Sequence, residues 1–426
     1  MQHDVAELTV SKSGLRRVAI TGIGVISPVG NDPKQCFEQL LSGTSVVGAL
    51  PGEASAERGL NVGAVVKDFD AAAVVGKKNI KRTSRFLQMG LACARSARAD
   101  AALETAKYET ARIGCLFGSS LAGLDMVMDT ACGFSDSGMP GVSPFLLPGS
   151  LNNMAAGMIA IDANVHGPCY AVSAGWSSSM QAIGHAFEMV RRGSADAMLA
   201  GGSESLTGAP LAAALLGRTG LFVTESDTPA QASRPFDAAR SGLLAGEGAA
   251  MLVLEGLDEA IARGAAPYAE IMGYASTFAP TANRARTGWY ETMVDCMRNA
   301  LESAGIDPTE VEYINAYGSS SQATDAMEAK AIKEVFNGHS SKLWISSSKG
   351  VTGHMLGASG AFETAMTSMA LKRGIVPPTA NMRTPDSGCD LDFMPGAARE
   401  RRIVIAMKNS FAESGHCGSL ILRIVA

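Results

Sequence analysis

The chain has 426 residues, of which 46% are apolar and 18% are charged, and its formal net charge is −5. This length exceeds one ordinary hydrophobic core, and the 47 glycines are typical of buried strands joined by tight turns. The modest negative charge argues against a polyanion-binding protein, so we expect no nucleic-acid partner.

The eight cysteines show no spacing typical of a metal site, so we expect reduced core thiols and neither a metal nor a cofactor. The first residues lack the apolar core of a signal peptide. No apolar run approaches the roughly 20 residues that a membrane-spanning helix needs. We therefore expect a cytoplasmic protein with no membrane partner.

The chain begins with a polar segment, residues 1–15, which we predict to be a flexible tail. Residues 17–30 predict a strand that runs into a glycine-rich turn. Gly22 and Gly24 resemble the start of a dinucleotide-binding fingerprint, but Ser27 stands where its third glycine is required. A nucleotide site is therefore not favoured here.

A basic cluster follows within one helical-looking segment: Lys77, Lys78, Lys81, Arg82 and Arg85. Such clusters are usually solvated helix faces. The functional alternative is an electrostatic docking site that steers an acidic protein.

Residues 112–124 predict another apolar strand and glycine-rich turn, and Leu121 lies in the turn. An ordinary core leucine is one interpretation of this position. Residues 143–148 precede a predicted helix that runs through Asn153 and Met158.

Residues 167–184 predict a short buried strand, a tight turn of small residues that contains Trp176, and the first turns of a helix. The helix is indicated by apolar residues at helical spacing, with a glycine at its expected end: Met180, Ile183, Phe187, Val190 and Gly193. Residues 196–202 predict a second buried strand. Many α/β enzymes place a nucleophile at such a strand-to-helix junction, because the helix-start amides stabilise negative charge.

The charged residues Arg234, Asp237, Arg240 and Glu247 lie among glycines and predict a structural charge network. The second half then alternates strands with helices. Strands are predicted near 269–275, 311–316, 344–347, 402–408 and 419–425, and helices near 290–304, 324–336 and 356–373.

From residue 17 to the C-terminus these motifs resemble the elongating β-ketoacyl-acyl-carrier-protein synthases, the thiolase-fold condensing enzymes of fatty-acid and polyketide synthesis. The resemblance implies an α/β fold of two fused halves in an α/β/α/β/α arrangement. It places the halves at 16–256 and 257–426. It also implies a dimer formed through residues 125–166.

The resemblance places Trp176 where the family has its acyl-accepting cysteine and Tyr317 where it has its first catalytic histidine. The family's lysine and second histidine are kept as Lys349 and His354, and Glu363 follows at the usual distance. An indole has no lone pair with which to attack a thioester. A phenol can donate a proton, but its pKa near 10 makes it a poor base at pH 7.

The loop at 409–417 keeps the family's Asn-Ser-Phe start but replaces the flexible glycine-rich continuation with Ala412 to Cys417, which restricts the backbone. By resemblance, the substrate pocket is bordered by Leu121, Phe411, Ala412 and Glu413. The carrier-docking helix is matched by Lys78, Lys81 and Arg82.

Other nucleophiles are weaker hypotheses. His416 and Cys417 are adjacent, so in an extended segment their side chains point to opposite faces, and no orienting third group is evident. Ser177, Ser178 and Ser179 lie near the junction but have no evident base.

Three functions follow from the resemblance. The leading one is a non-condensing homologue that pairs with an active ketosynthase, as chain-length factors of type II polyketide and aryl-polyene systems do. The second is a stand-alone enzyme that acts on an acyl thioester, by decarboxylation, cyclisation or acyl transfer, without a cysteine nucleophile. The third is an acyl-binding homodimer without chemistry. The resemblance leaves open whether a phosphopantetheinylated acyl carrier protein also visits this chain.

Overall fold

A computed structural model describes residues 14–50, 59–206, 210–280 and 288–425, with residues 210–213 described through their backbone alone. Most of the predicted tail at 1–15 therefore lies outside the described residues. The strands are β1 (Val18–Ile26), β2 (Gly48–Ala49), β3 (Val62–Gly63), β4 (Ile113–Gly118), β5 (Cys169–Val172), β6 (Ala197–Glu204), β7 (Gly248–Gly256), β8 (Ala269–Phe278), β9 (Tyr313–Asn315), β10 (Trp344–Ser346), β11 (Ile375–Val376), β12 (Arg399–Glu400), β13 (Ile405–Phe411) and β14 (His416–Arg423).

The α-helices alternate with these strands over most of the described chain. They are α1 (Pro33–Ser42), α2 (Ala71–Val75), α3 (Arg85–Asp100), α4 (Leu124–Ser137), α5 (Leu146–Ser150), α6 (Asn152–Ala163), α7 (Ser178–Arg191), α8 (Pro210–Arg218), α9 (Leu257–Ala262), α10 (Trp289–Ala304), α11 (Gln322–Phe336), α12 (Lys349–Thr352) and α13 (Ser359–Arg373). Short 3₁₀ helices include Lys77–Arg82 and Leu356–Ala358.

Ten strands form one mixed sheet in the order β10-β9-β13-β14-β8-β1-β7-β6-β4-β5. The sheet consists of two five-stranded halves, which meet where Val18–Ile20 of β1 pairs antiparallel with 269–271 of β8. Within the first half, β4 is parallel to both β5 and β6, and β7 is antiparallel to β6 and β1. Each half thus carries its own set of strands, and only three residue pairs join them.

The helices complete five layers around these two halves. Helices α3 and α6 pack on the first half, and α10 packs on β8 and β14 of the second with α11 beside it. Helices α7 and α13 contact each other and lie between the halves, with α7 on β4, β6 and β7 and α13 on β7 and β13. This architecture confirms the predicted α/β/α/β/α fold.

The central helices form because nearly every side chain they carry can be buried. Helix α7 buries Met180, Ile183, Phe187 and Val190, the residues whose spacing predicted it, and Gly193 follows its end with a φ of +72°. Helix α13 is buried from Ser359 through Leu371. Most of both helices is therefore apolar or small, and the buried charge of Glu363 on α13 needs partners in the surrounding structure.

The prediction that β5 is buried is wrong. Its residues are exposed or half-buried because β5 is the last strand of the sheet and has one unpaired edge. The last two strands begin or end a few residues from their predicted positions, at Ile405–Phe411 and His416–Arg423.

The residues of the predicted charge network make structural contacts, mostly with partners outside the network, and Arg240 also donates to the Asp237 carbonyl at 2.9 Å. Arg240 is buried, and its guanidinium lies 2.8 Å from Asp386 and 3.5 Å from Asp325. Glu247 pairs with Arg85 at 3.1 Å. Asp237 accepts backbone N–H groups, which draws residues 383 and 384 against the loop.

Candidate active site

Trp176 lies in the tight turn between β5 and α7, as the sequence predicts. The turn is closed by backbone hydrogen bonds from the Ser177 N–H to the Ala174 carbonyl (3.1 Å) and from the Ser178 N–H to the Gly175 carbonyl (3.2 Å). Gly175 has a φ of +54°, and a Cβ there would clash with Ser414 Oγ. Only glycine therefore lets the 412–415 turn lie this close to the junction.

The Trp176 indole is half-buried and forms part of an apolar wall. It makes edge-to-face contacts with Phe222 and His354, with 6.2 Å between ring centroids in both cases. It packs, together with Leu121, against a buried cluster formed by Leu60, Leu206, Leu216, Phe222, Leu243, Ala245 and Leu356. The indole Nε1 is buried and has no hydrogen-bond partner among the described residues.

Tyr317 and His354 are both buried and joined to each other, with 3.0 Å between the phenol oxygen and His354 Nε2. The N–H of Leu356 donates to His354 Nδ1 at 2.9 Å, so this nitrogen is an acceptor. Burial, assisted by two nearby lysines, lowers the pKa of His354 well below its usual value, so the imidazole is neutral and carries its proton on Nε2. His354 therefore donates to the phenol oxygen.

The phenol consequently keeps its own proton. Burial, followed by the charges of Glu413 and Glu363, raises the pKa of Tyr317 well above 10. Its oxygen has no acceptor for that proton among the described residues. The Tyr317–His354 pair can therefore donate a hydrogen bond, but neither group offers a free basic lone pair at neutral pH.

The backbone on both sides of Tyr317 is held by charged groups. Glu328 accepts the N–H groups of Tyr317 and Gly318, each at 2.8 Å. Lys349 donates from Nζ to the Tyr317 carbonyl at 2.6 Å and lies 4.8 Å from the centroid of the phenol ring. The position of the phenol is therefore set by ionic contacts rather than by apolar packing alone.

Glu363 lies between two buried ammonium groups. Lys349 Nζ is 2.5 Å from one carboxylate oxygen, and Lys408 Nζ is 2.8 Å from the other. The sequence analysis named Lys349 and Glu363 but missed Lys408. The available signal was a single lysine within the apolar strand 403–411, where a charged residue needs a partner.

Glu204 was also missed, although it anchors the loop that carries Leu121. Its buried carboxylate accepts the hydroxyl of Ser119 and the backbone N–H groups of Ser120 and Leu121. Ser120 in turn donates to the Gly175 carbonyl at 2.9 Å. Burial raises the pKa of Glu204 to about 7. The signal was an acidic residue two positions after the buried strand predicted at 196–202.

The loop after β13 covers the junction in a tight turn. The Ala412 N–H donates to the His416 carbonyl at 2.7 Å, and the Gly415 N–H to the Ala412 carbonyl at 2.8 Å. The Phe411 ring lies 6.2 Å from that of Tyr317, and Glu413 accepts the Thr324 hydroxyl at 3.0 Å. The structure thus brings together every residue predicted at the site's centre, while the substrate-binding roles of Leu121, Phe411, Ala412 and Glu413 stay predictions.

The alternative nucleophiles are engaged or buried. Cys417 points into the core of the second half, and burial raises the pKa of its thiol well above 9. His416 lies on the opposite face, against the Phe278 ring. Ser177 and Ser178 donate to backbone carbonyls, and Ser179 accepts the Ala361 N–H. None of these groups is paired with a base in the way that nucleophilic catalysis requires.

The basic segment is a 3₁₀ helix, Lys77–Arg82, and Lys78, Lys81 and Arg82 are exposed on it. The Arg82 guanidinium lies 4.6 Å from the Phe145 ring centroid. Arg85 does not join this surface, because it begins α3 and pairs with Glu247. Across the described part of the chain, no helix is long and apolar enough to span a bilayer, and no group of three potential ligands is placed to hold a metal.

Comparison with known sequences identifies two matching regions. Residues 15–260 match the beta-ketoacyl synthase N-terminal domain, and residues 268–383 match the C-terminal domain of the same family. The chain is 40% identical over 410 residues to a 3-oxoacyl-[acyl-carrier-protein] synthase 2 of Coxiella burnetii, a match that covers 96% of this chain and 99% of the relative.

Two solved structures have the same fold. The ishigamide ketosynthase/chain length factor superposes with a TM-score of 0.87 at 28% identity, covering 97% of this chain and 100% of that one. A type II polyketide ketosynthase solved in complex with its acyl-carrier protein superposes with a TM-score of 0.84 at 28% identity, covering 96% and 100%.

Proposed function

Because the chain belongs to the beta-ketoacyl synthase family, as its motifs led us to expect, we propose that it is a non-condensing member that pairs with an active ketosynthase, like a chain-length factor. One observation carries this proposal: the strand-to-helix junction presents the indole of Trp176 and no thiol. Condensation in this family passes through an acyl thioester on the enzyme, and an indole cannot form one.

The chemistry of the surrounding groups supports the same proposal. His354 donates to the Tyr317 oxygen, which leaves the Tyr317 hydroxyl proton as a donor, and the indole Nε1 is a further donor without a partner among the described residues. Such a site can bind a carbonyl oxygen but cannot abstract a proton from a nucleophile. The indole also fills space beside Leu121, where an acyl chain would otherwise extend.

The edge of the sheet offers a surface for the partner. Strand β5 has an unpaired edge, and the neighbouring helices and loops expose apolar side chains: Phe134, Met139, Leu147, Leu151, Ile161 and Tyr170. A free sheet edge flanked by exposed apolar residues favours association with another chain. We assign this surface to the contact with the active ketosynthase.

Co-expression with the proteins encoded beside the chain tests this assignment. We expect a one-to-one complex with an active ketosynthase, and we expect Ile161→Asp to abolish it. Ile261→Asp is the matched control, because Ile261 is also exposed but lies on α9, away from β5. A homodimer that ignores the neighbouring ketosynthase would contradict the proposal, and if it also bound acyl chains without turnover, the protein would be an acyl-binding homodimer.

A second function is favoured by the Tyr317–His354 pair. The Tyr317 hydroxyl, which accepts a hydrogen bond from His354, can polarise a thioester carbonyl while carbon dioxide leaves a malonyl group, and the resulting enolate is then protonated by water. The chain would then be a stand-alone enzyme without a covalent intermediate. Turnover by the isolated chain, abolished by His354→Ala, would establish this function and overturn the first.

The Trp176→Cys variant tests whether the missing thiol alone prevents condensation. We expect this single change not to restore condensation, because Tyr317 cannot serve as the first histidine and the 412–415 turn is closed by its own hydrogen bonds. Robust ketoacyl formation by the variant would contradict this account of the site.

A further inference from the structure

Lys408 is a fully buried lysine that the proposed function does not use. It lies in β13, and its side chain has no exposed surface. A buried ammonium group is costly unless charged or polar partners surround it. Its partners therefore indicate what it does.

Those partners belong to one buried ionic network behind Tyr317. Lys408 Nζ contacts Glu363 on α13 and donates to the Asn409 carbonyl. Asn409 donates from its side-chain nitrogen to Glu328 on α11 at 3.3 Å. Lys408 therefore lies between the two carboxylates that hold the backbone of Tyr317, one directly and one through Lys349.

Lys408 supplies the second cation beside Glu363. Lys349 and Lys408 contact opposite oxygens of that carboxylate, and Lys408 is joined to Glu328 through Asn409. Burial lowers the pKa of Lys408 to about 8, and Glu363 opposes that shift, so the amine is mostly protonated at pH 7. Without this cation, Glu363 would keep Lys349 as its one ion-pair partner among the described residues.

We propose that Lys408 is a positioning residue that fixes the Tyr317 phenol against His354 by holding the side chains of Glu363 and Glu328 in the contacts described above. The path runs from Lys408 through Glu363 to Lys349 and the Tyr317 carbonyl, and from Asn409 through Glu328 to the Tyr317 N–H. This inference takes only the location of the site from the proposed function. Its test requires neither a complex with a partner nor turnover, so it can fail while the proposed function stands.

The test is a spectroscopic measurement on the whole chain with histidine labelled by ¹⁵N. His354 Nε2–H donates to a buried phenol, so we expect a slowly exchanging ring proton, assigned by its absence in His354→Gln. Lys408→Met keeps a long apolar stem but removes the charge, and we expect this signal to be lost while the circular dichroism spectrum is retained. Lys372→Met is the matched control on α13, and we expect it to keep the signal.

If Lys408→Met fails to fold, the same signal is measured in the double variant Lys408→Met/Glu363→Gln. This variant removes one positive and one negative charge from the buried network. We expect it to fold without the His354 signal, and we expect the signal of the unaltered chain to shift as the pH rises through about 8. Retention of an unchanged signal in either folded variant, or a signal insensitive to pH in that range, would overturn the proposal.

Discussion

The two walls of the site differ in what fills them. The wall around Trp176 is apolar, built from leucines and Phe222, and its only polar group, the indole N–H, has no partner among the described residues. The wall behind Tyr317 and His354 is ionic, with buried lysines and carboxylates in direct contact. The first wall is held by apolar packing, and the second is held by contacts between buried charges, which must be paired for the chain to stay folded.

The apolar wall bears on the formation of a covalent intermediate, and the ionic wall bears on the binding of a carbonyl group. The apolar wall occupies the position that we assign to the nucleophile. The ionic wall still presents donors, because Tyr317 keeps its proton and His354 is neutral. The following variants act in turn on the ionic wall, the apolar wall, the loop that carries Leu121 and the exposed basic surface.

The largest effect is expected from Glu363→Gln, which breaks the ionic wall. The change leaves the ammonium groups of Lys349 and Lys408 buried without their shared carboxylate. Breaking a buried ion pair costs about 3–5 kcal/mol, so we expect a loss of that size in the free energy of unfolding, measured by urea denaturation. Exposed Glu302→Gln on α10 is the control, and an equally small effect for both variants would contradict the ionic account.

Trp176→Ala acts on the apolar wall and should have a smaller effect. Removing a fully buried tryptophan costs about 3–5 kcal/mol, and this indole is only half-buried, so we expect a loss of about 2 kcal/mol. Trp176→Phe, which keeps an aromatic ring beside Phe222, should lose less. An unchanged unfolding free energy for Trp176→Ala would show that the indole is not held by this wall.

Glu204→Gln tests the loop that carries Leu121 through the pH dependence of stability. Burial raises the pKa of Glu204 from 4.5 to about 7, so the folded chain binds this proton more tightly than the unfolded chain does. The stabilisation that the raised pKa of Glu204 gives to the folded chain is complete below pH 4.5. It is lost as the pH rises toward 7, by up to about 1.4 kcal/mol per pH unit. We expect the difference in unfolding free energy between the unaltered chain and Glu204→Gln to fall across that range. A constant difference would contradict the assignment.

The smallest effect is expected at the surface. Lys81→Glu and Arg82→Glu reverse two exposed charges, and exposed ion pairs contribute about 0.2–1 kcal/mol each. We expect weaker binding of an acyl carrier protein in a calorimetric titration, and a loss that shrinks as salt is added. Arg192→Glu, at the exposed residue just after α7, is the control, and equal losses for it would argue against a docking role for Lys78, Lys81 and Arg82.

The sequence predicted the fold and the centre of the site because both depend on local patterns. Apolar periodicity located α7, and motif resemblance located Trp176, Tyr317, Lys349 and His354. The contacts of Lys408 and Glu204 could not be predicted, because they join residues that are far apart in the chain. The exposure of β5 was also missed, since a short apolar strand has the same pattern at a sheet's edge as at its centre.

The most direct test of the central claim is the intact mass of the purified chain after incubation with an acylated carrier protein, beside an active ketosynthase of the family as positive control. We predict that the mass of the chain stays unchanged, because Trp176 cannot accept the acyl group. A mass increase equal to one acyl group, localised to any residue of the site, would contradict the claim.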